Sequence, residues 1–181
     1  MLSRSSDPAD PSPIGPSTSV SAVAAVPIAQ AWGRFVPIEL PQVFPRSKGP
    51  IPSVVGVEGQ TGRWDEPGRS RTVVLGDGSR VHEAITRSEP SGGDAPAHGR
   101  ARFGYTVSGF SGPLGRLARE ARGLWTFEEH DGRTHIEWTY AFLPTGALAR
   151  PVLALIIATF WRSYMRDGVA NVVKELERSE G

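Results

Sequence analysis

Between residues 53 and 143 the chain falls into six runs in which apolar and polar side chains alternate. Strict alternation puts every second side chain on the same face, so these runs predict β-strands with one apolar and one polar face. The clearest is RTHIEWTYAFLP, with Ile136, Trp138, Tyr140 and Phe142 on one face and His135, Glu137 and Thr139 on the other. REARGLWTFEEH sets Trp125 and Phe127 together, and GRARFGYTVSG does the same for Phe103, Tyr105 and Val107. His130-Asp131-Gly132 supplies a tight turn between the last two runs. SVVGVEGQ, SRTVVLG and SRVHEAITRSE precede them, the latter two reading as a hairpin about Gly76-Asp77-Gly78. Such two-faced strands belong to an antiparallel sheet covered on one side.

The pattern changes period on either side of this block. Residues 146–179 predict one long helix, in which Phe160, Tyr164, Gly168, Val172 and Leu176 recur beside polar Arg162, Arg166, Lys174 and Glu177. Its first half, PVLALIIATFW at 151–161, is apolar almost all round. That is too short for a bilayer, which needs about 20 residues. This half is therefore buried on several sides, lies over a cavity mouth, or packs against a partner. Upstream, VSAVAAVPIAQA reads as a first strand ending near Val26; Asp7, Asp10, Pro27 and Gln30 argue against a signal sequence. Pro27 suits the first position of a short helix over 27–36, and ELPQVFP at 39–45 makes a second helix or a turn. Residues 1–19, rich in Ser, Pro and Asp, read as a disordered tail, leaving 20–181 as one domain.

Composition narrows the function classes. The 181 residues suit a single domain with a full core, and 39% apolar with 22% charged residues is ordinary for a soluble protein. A net charge of +1 gives no strong electrostatic case for nucleic acid or an anionic membrane. Lysine occurs only at Lys48 and Lys174, and the Arg, Ala, Gly and Pro bias fits a GC-rich, bacterial genome. There is no cysteine, which removes disulfides, thiolate catalysis and iron–sulfur ligation and leaves a reducing, cytoplasmic compartment as the default. His82, His98, His130 and His135 fall on polar faces or loops without metal-ligand spacing, and no nucleophile elbow occurs, so neither metal nor cofactor is expected. GFSGPLG joins two strands as a flexible loop, and Arg116, Arg119 and Arg122 after it read as a solvated patch, with contact to an anionic headgroup as the lesser alternative.

The element order is strand, two short helices, six antiparallel strands and a long helix. One helix crossing a sheet must cover its apolar face, and a curved sheet gripping it leaves a gap for a small apolar ligand. The chain here resembles the START-like, Bet v 1-like superfamily (SRPBCC), nearest its polyketide cyclase/dehydrase and lipid-transport type. VPIAQAWGRFV, GDGSRVHEAIT, GLWTFEEHDGRTHIEWTYAFLP and the terminal helix carry the resemblance over about 20–178. It implies an α+β helix-grip fold: a curved antiparallel sheet of about seven strands wrapped on a long C-terminal helix, with two short helices after the first strand. It also implies that the apolar sheet face lines a cavity.

On that face the hairpin carries a charged pair. With a three-residue Gly76-Asp77-Gly78 loop, Arg71 stands opposite Glu83; a two-residue loop offsets them by one. They are either a self-neutralising ion pair on the wall or an anchor for a ligand carboxyl, hydroxyl or carbonyl. The cavity candidates are Trp64, Arg71, Glu83, Tyr105, Trp125, Tyr140, Phe160 and Tyr164, while Trp138 and Phe142 are expected to be core. Three functions follow: binding or carriage of a lipid-like or polycyclic molecule; a polyketide aromatase/cyclase-like enzyme using Glu83, Arg71 and Tyr105; or an interaction module dimerising through the apolar first half of the long helix.

Overall fold

The computed structural model describes residues 15–90, 94–96 and 99–178, which leaves most of the expected tail and His98 outside the described residues. Seven strands form one antiparallel sheet: β1 (Ser17–Ala24), β2 (Val54–Glu58), β3 (Ser70–Leu75), β4 (Arg80–Glu89), β5 (Arg100–Ser108), β6 (Ala118–His130) and β7 (Arg133–Pro144). Their spatial order is β1-β7-β6-β5-β4-β3-β2. From β2 onward each strand pairs with its sequence neighbour, and β1 closes on the last strand. Ser17, Thr18 and Ser19 already belong to β1, so the strand begins inside the stretch read as tail.

Since β1 and β2 are opposite edges, the segment between them carries the chain across the apolar face. It holds α1 (Ile28–Phe35) and α2 (Leu40–Val43), which Pro37, Pro41 and Pro45 keep short. Pro27 is the residue that caps α1 rather than its first helical residue. The Glu129 carboxylate of β6 accepts the free Ile28 N–H at 2.7 Å, tying the helix start to the sheet. Ile28, Ala31, Trp32 and Phe35 form the buried face of α1, packed against β5, β6 and β7.

The C-terminal helix is continuous but not uniform. α4 (Ala149–Ile156) passes through a π turn (Ile157–Trp161) into α5 (Arg162–Glu177). Tyr164, Met165, Gly168, Val169, Val172 and Leu176 are its buried face in α5, set against β1, α1 and α2. The expected flexible loop before β6 is instead a short helix, α3 (Gly112–Leu117), whose Gly115 N–H bonds the Ser111 carbonyl at 3.2 Å. Pro113 fits its first turn, where no N–H is needed.

Candidate functional site

Register places the site. Across β3–β7, one row of the concave face runs Arg71, Glu83, Val107, Ala121, Phe142; the next runs Ile85, Tyr105, Gly123, Tyr140; a third runs Phe103, Trp125, Trp138. Leu75 N–H bonds the Ser79 carbonyl at 2.9 Å, so the hairpin loop is the three-residue Gly76-Asp77-Gly78, with Arg71 directly opposite Glu83. Between these rows and the C-terminal helix lies a cavity of about 350 Å³. Phe35, Val43, Phe44, Val73, Val107 and Phe142 give it an apolar wall. Pro50, Asp77, Ser111, Gly112 and Pro113 line it and are themselves exposed, which marks its opening.

Arg71 Nε donates to Glu83 Oε2 at 2.7 Å, with the two side chains 6% and 9% exposed. The guanidinium carbon lies 3.8 Å from the Trp64 ring centroid, so the cation is held by a carboxylate and an aromatic face together. Burial raises the Glu83 pKa, and the Arg71 charge opposes that rise. Among the described residues the terminal amino groups of Arg71 and Oε1 of Glu83 make no hydrogen bond, so the pair keeps unused donors and an acceptor at the wall. Beyond Arg71 and Trp64 lies a second pocket of about 680 Å³, bordered by exposed Gly33, Pro37, Glu39, Gln60 and Arg63.

The tyrosines come next along the wall. The Tyr105 hydroxyl accepts a hydrogen bond from Trp138 Nε1 at 3.1 Å, and Trp138 stacks on Trp125 at 4.6 Å. Its ring lies over Gly123: a Cβ there would sit 2.2 Å from Tyr105 Cζ, so only glycine leaves that seat. The Tyr140 hydroxyl makes no hydrogen bond among the described residues. Burial, with the nearby Glu83 charge adding to it, pushes both phenols well above their ordinary range, which keeps them protonated as neutral donors. Tyr164 donates to the Pro52 carbonyl at 3.2 Å and stacks on Phe44 at 4.8 Å, closing the far side.

Of the sequence candidates, Trp64, Arg71, Glu83, Tyr105, Trp125, Tyr140 and Tyr164 line this cavity. Phe160 does not. It is 38% exposed, and its ring lies beside Gly49, away from the wall. The π turn accommodates an extra residue and brings Trp161 to the cavity in its place, 4.8 Å from Tyr140 and 5.1 Å from Phe142. Trp138 and Phe142 belong to the core and also border the empty volume. Gly123, Phe44 and the α3 residues Pro113 and Leu114 were not singled out from sequence; a glycine inside a strand is the one local signal that points to a close approach there. No three metal-capable side chains converge among the described residues.

A family model described as "Polyketide cyclase / dehydrase and lipid transport" matches residues 16–177. No curated protein matches the sequence. Solved structures share the fold at low identity. Ara h 8.0201 is 19% identical, with 89% of this chain and 94% of that one covered at a TM-score of 0.57. The hypothetical protein jhp0584 of Helicobacter pylori is 10% identical, with 94% and 92% covered at 0.67. Protein MLL2253 of Mesorhizobium loti is also 10% identical, with 91% and 99% covered at 0.61. The chain belongs to the polyketide cyclase/dehydrase and lipid-transport family and has a Bet v 1-like fold.

Proposed function

We propose that this domain binds a hydrophobic small molecule, lipid-like or polycyclic, between the sheet and the C-terminal helix, with Arg71 and Glu83 as its polar anchor. The observation that carries this is an apolar, aromatic cavity of about 350 Å³ with one buried ion pair in its wall. That volume lies within the roughly 300–1,000 Å³ of small-molecule sites. An interior needing only to be filled would be served as well by two apolar side chains. A charged pair bordering empty volume instead offers a ligand oxygen fixed partners, while the aromatic walls contribute area. Family membership supports a hydrophobic ligand of this kind.

The experiment is native mass spectrometry of the purified full chain, paired with titration of its tryptophan fluorescence by 2-naphthol. Trp64, Trp125, Trp138 and Trp161 border the cavity and report occupancy. A co-purifying apolar adduct, or saturable quenching weakened by Glu83→Gln, is the expected result. No adduct together with non-saturating quenching overturns the reading.

A further inference from the structure

The outward surface of the C-terminal helix's first half differs from the rest of the protein. From Ala147 to Phe160 every exposed residue is apolar except Arg150 and Thr159. The Thr159 hydroxyl donates to its own helix, to the Leu155 carbonyl at 2.7 Å. Leu148 is 90% exposed, Leu155 63% and Val152 43%. Among the described residues the large apolar exposures outside this helix, Val23 and Val55, are single residues on separate edge strands. A contiguous apolar patch of this kind is uncommon on a protein surface that faces only water.

Charge identifies what the patch fits. No acidic residue occurs between Thr145 and Arg166, whereas Arg150, Arg162 and Arg166 are exposed along the helix. Arg116, also exposed, comes from α3, which packs on α4. None of these four arginines is in an ion pair among the described residues. The next acid, Asp167, is held by Lys48 at 2.6 Å. A twofold contact with a second copy would use the same patch on both chains, bringing like-charged rims together with no carboxylate to pair them. An apolar face bordered by unpaired arginines instead suits a helix lying in the interface of an anionic bilayer, where leucines enter the acyl boundary and arginines meet the headgroups.

We propose that the outward face of α4 is a docking surface for an anionic lipid bilayer. One rim of the cavity opening adjoins this helix, while Pro50 and Asp77 form the rest of it. Ile156 lines the cavity from this same helix, and Ser111, Gly112 and Pro113 of the neighbouring α3 segment stand at the opening. The passage of a ligand between bilayer and cavity rests on the binding function proposed above; docking itself does not.

The test is co-sedimentation of the full chain with vesicles of phosphatidylcholine alone and of phosphatidylcholine mixed with phosphatidylglycerol. Binding is expected to the mixed vesicles and to weaken as salt rises, because the arginine contribution is screened. Leu148→Glu/Leu155→Glu alters only exposed side chains. It is expected to melt like the wild type, keep 2-naphthol binding and lose vesicle partitioning by about tenfold or more. Arg150→Gln/Arg162→Gln should weaken binding to the mixed vesicles alone. Absence of binding to either vesicle, or binding that Leu148→Glu/Leu155→Glu leaves intact, overturns the proposal. So does a dimer that the same variant dissociates without any vesicle binding, which would assign the face to a second copy. Failure of docking with 2-naphthol binding retained would leave the cavity reading standing.

Discussion

The two ends of the concave sheet face are built from the same kinds of residue and do opposite things. Beneath α1, Trp32 and Phe35 reach down onto the sheet and enclose Phe127, their ring centroids 5.6 and 4.8 Å from its own, while Phe35 and Phe103, 5.7 Å apart, already border the cavity. Phe127 has no exposed surface there. Beneath the π turn, Tyr140, Phe142 and Trp161 approach one another as closely, yet they border empty volume. The difference is the covering element. A short helix tied to β6 through Glu129 lies directly on the first end, whereas the long helix bridges the second. Aromatic content therefore does not separate core from pocket in this fold. The buried Arg71–Glu83 pair does, because it occurs only where there is space beside it.

Two substitutions break this comparison with the largest effects. Phe127→Ala removes a ring packed on all sides and should cost about 3–5 kcal/mol in denaturant unfolding, with any surviving folded protein retaining 2-naphthol binding. Glu83→Leu leaves Arg71 buried without its counter-charge and should cost about as much, roughly 3–5 kcal/mol. Adding Arg71→Leu to it should recover most of that stability but not ligand affinity, which separates the pair's structural role from its binding role.

Glu83 also carries a pH signature. Its folded pKa is raised by burial, so the folded state holds the proton more tightly than the unfolded chain. The stability it contributes is fully present below its ordinary value of 4.5 and is lost as pH rises through the raised value. Glu83→Gln should flatten that part of the decline when melting is followed from pH 4 upward. An unchanged profile would mean that the carboxyl is not desolvated as its position implies.

What the sequence made legible follows the same division. Alternation in β3–β7 exposes the sheet, and the Gly76-Asp77-Gly78 turn brings Arg71 within one position of Glu83 whichever loop length is used; the three-residue loop of the structure is what sets them directly opposite. The helix in 149–177 is legible from its length and the periodicity of its second half. The π turn is not. Within PVLALIIATFW nearly every phase is apolar, so one accommodated residue leaves no trace in the pattern, and an uninterrupted 3.6-residue period selects Phe160 where the fold uses Trp161. α3 was hidden for a different reason: its glycines and proline are poor helix formers, and contact with α4 and β6 overrides local preference.

Gly123→Ala sharpens the comparison at intermediate size. The new methyl meets the Tyr105 ring, which must leave its seat and break the contact with Trp138 Nε1. A loss of about 1–3 kcal/mol is expected, together with weaker 2-naphthol quenching, since the displaced ring moves into the cavity. The same substitution at Gly33, where an added Cβ meets nothing within 4 Å, is the control and should leave binding unchanged.

The smallest effect tests the hollow end most directly. The Tyr140 hydroxyl has no protein partner among the described residues, so Tyr140→Phe removes no internal hydrogen bond and should change stability by less than about 1 kcal/mol. If that hydroxyl serves a ligand, the same change must weaken 2-naphthol while leaving naphthalene, which has no oxygen to bond, unaffected. Tyr105→Phe gives the contrast. Its oxygen accepts from Trp138 Nε1, so that variant strands a buried donor and should lose more stability than Tyr140→Phe. Equal losses from the two variants, with no discrimination between the ligands, would mean that both tyrosines act only as wall, leaving the polar work of the cavity to Arg71, Glu83 and the unpartnered Trp161 Nε1.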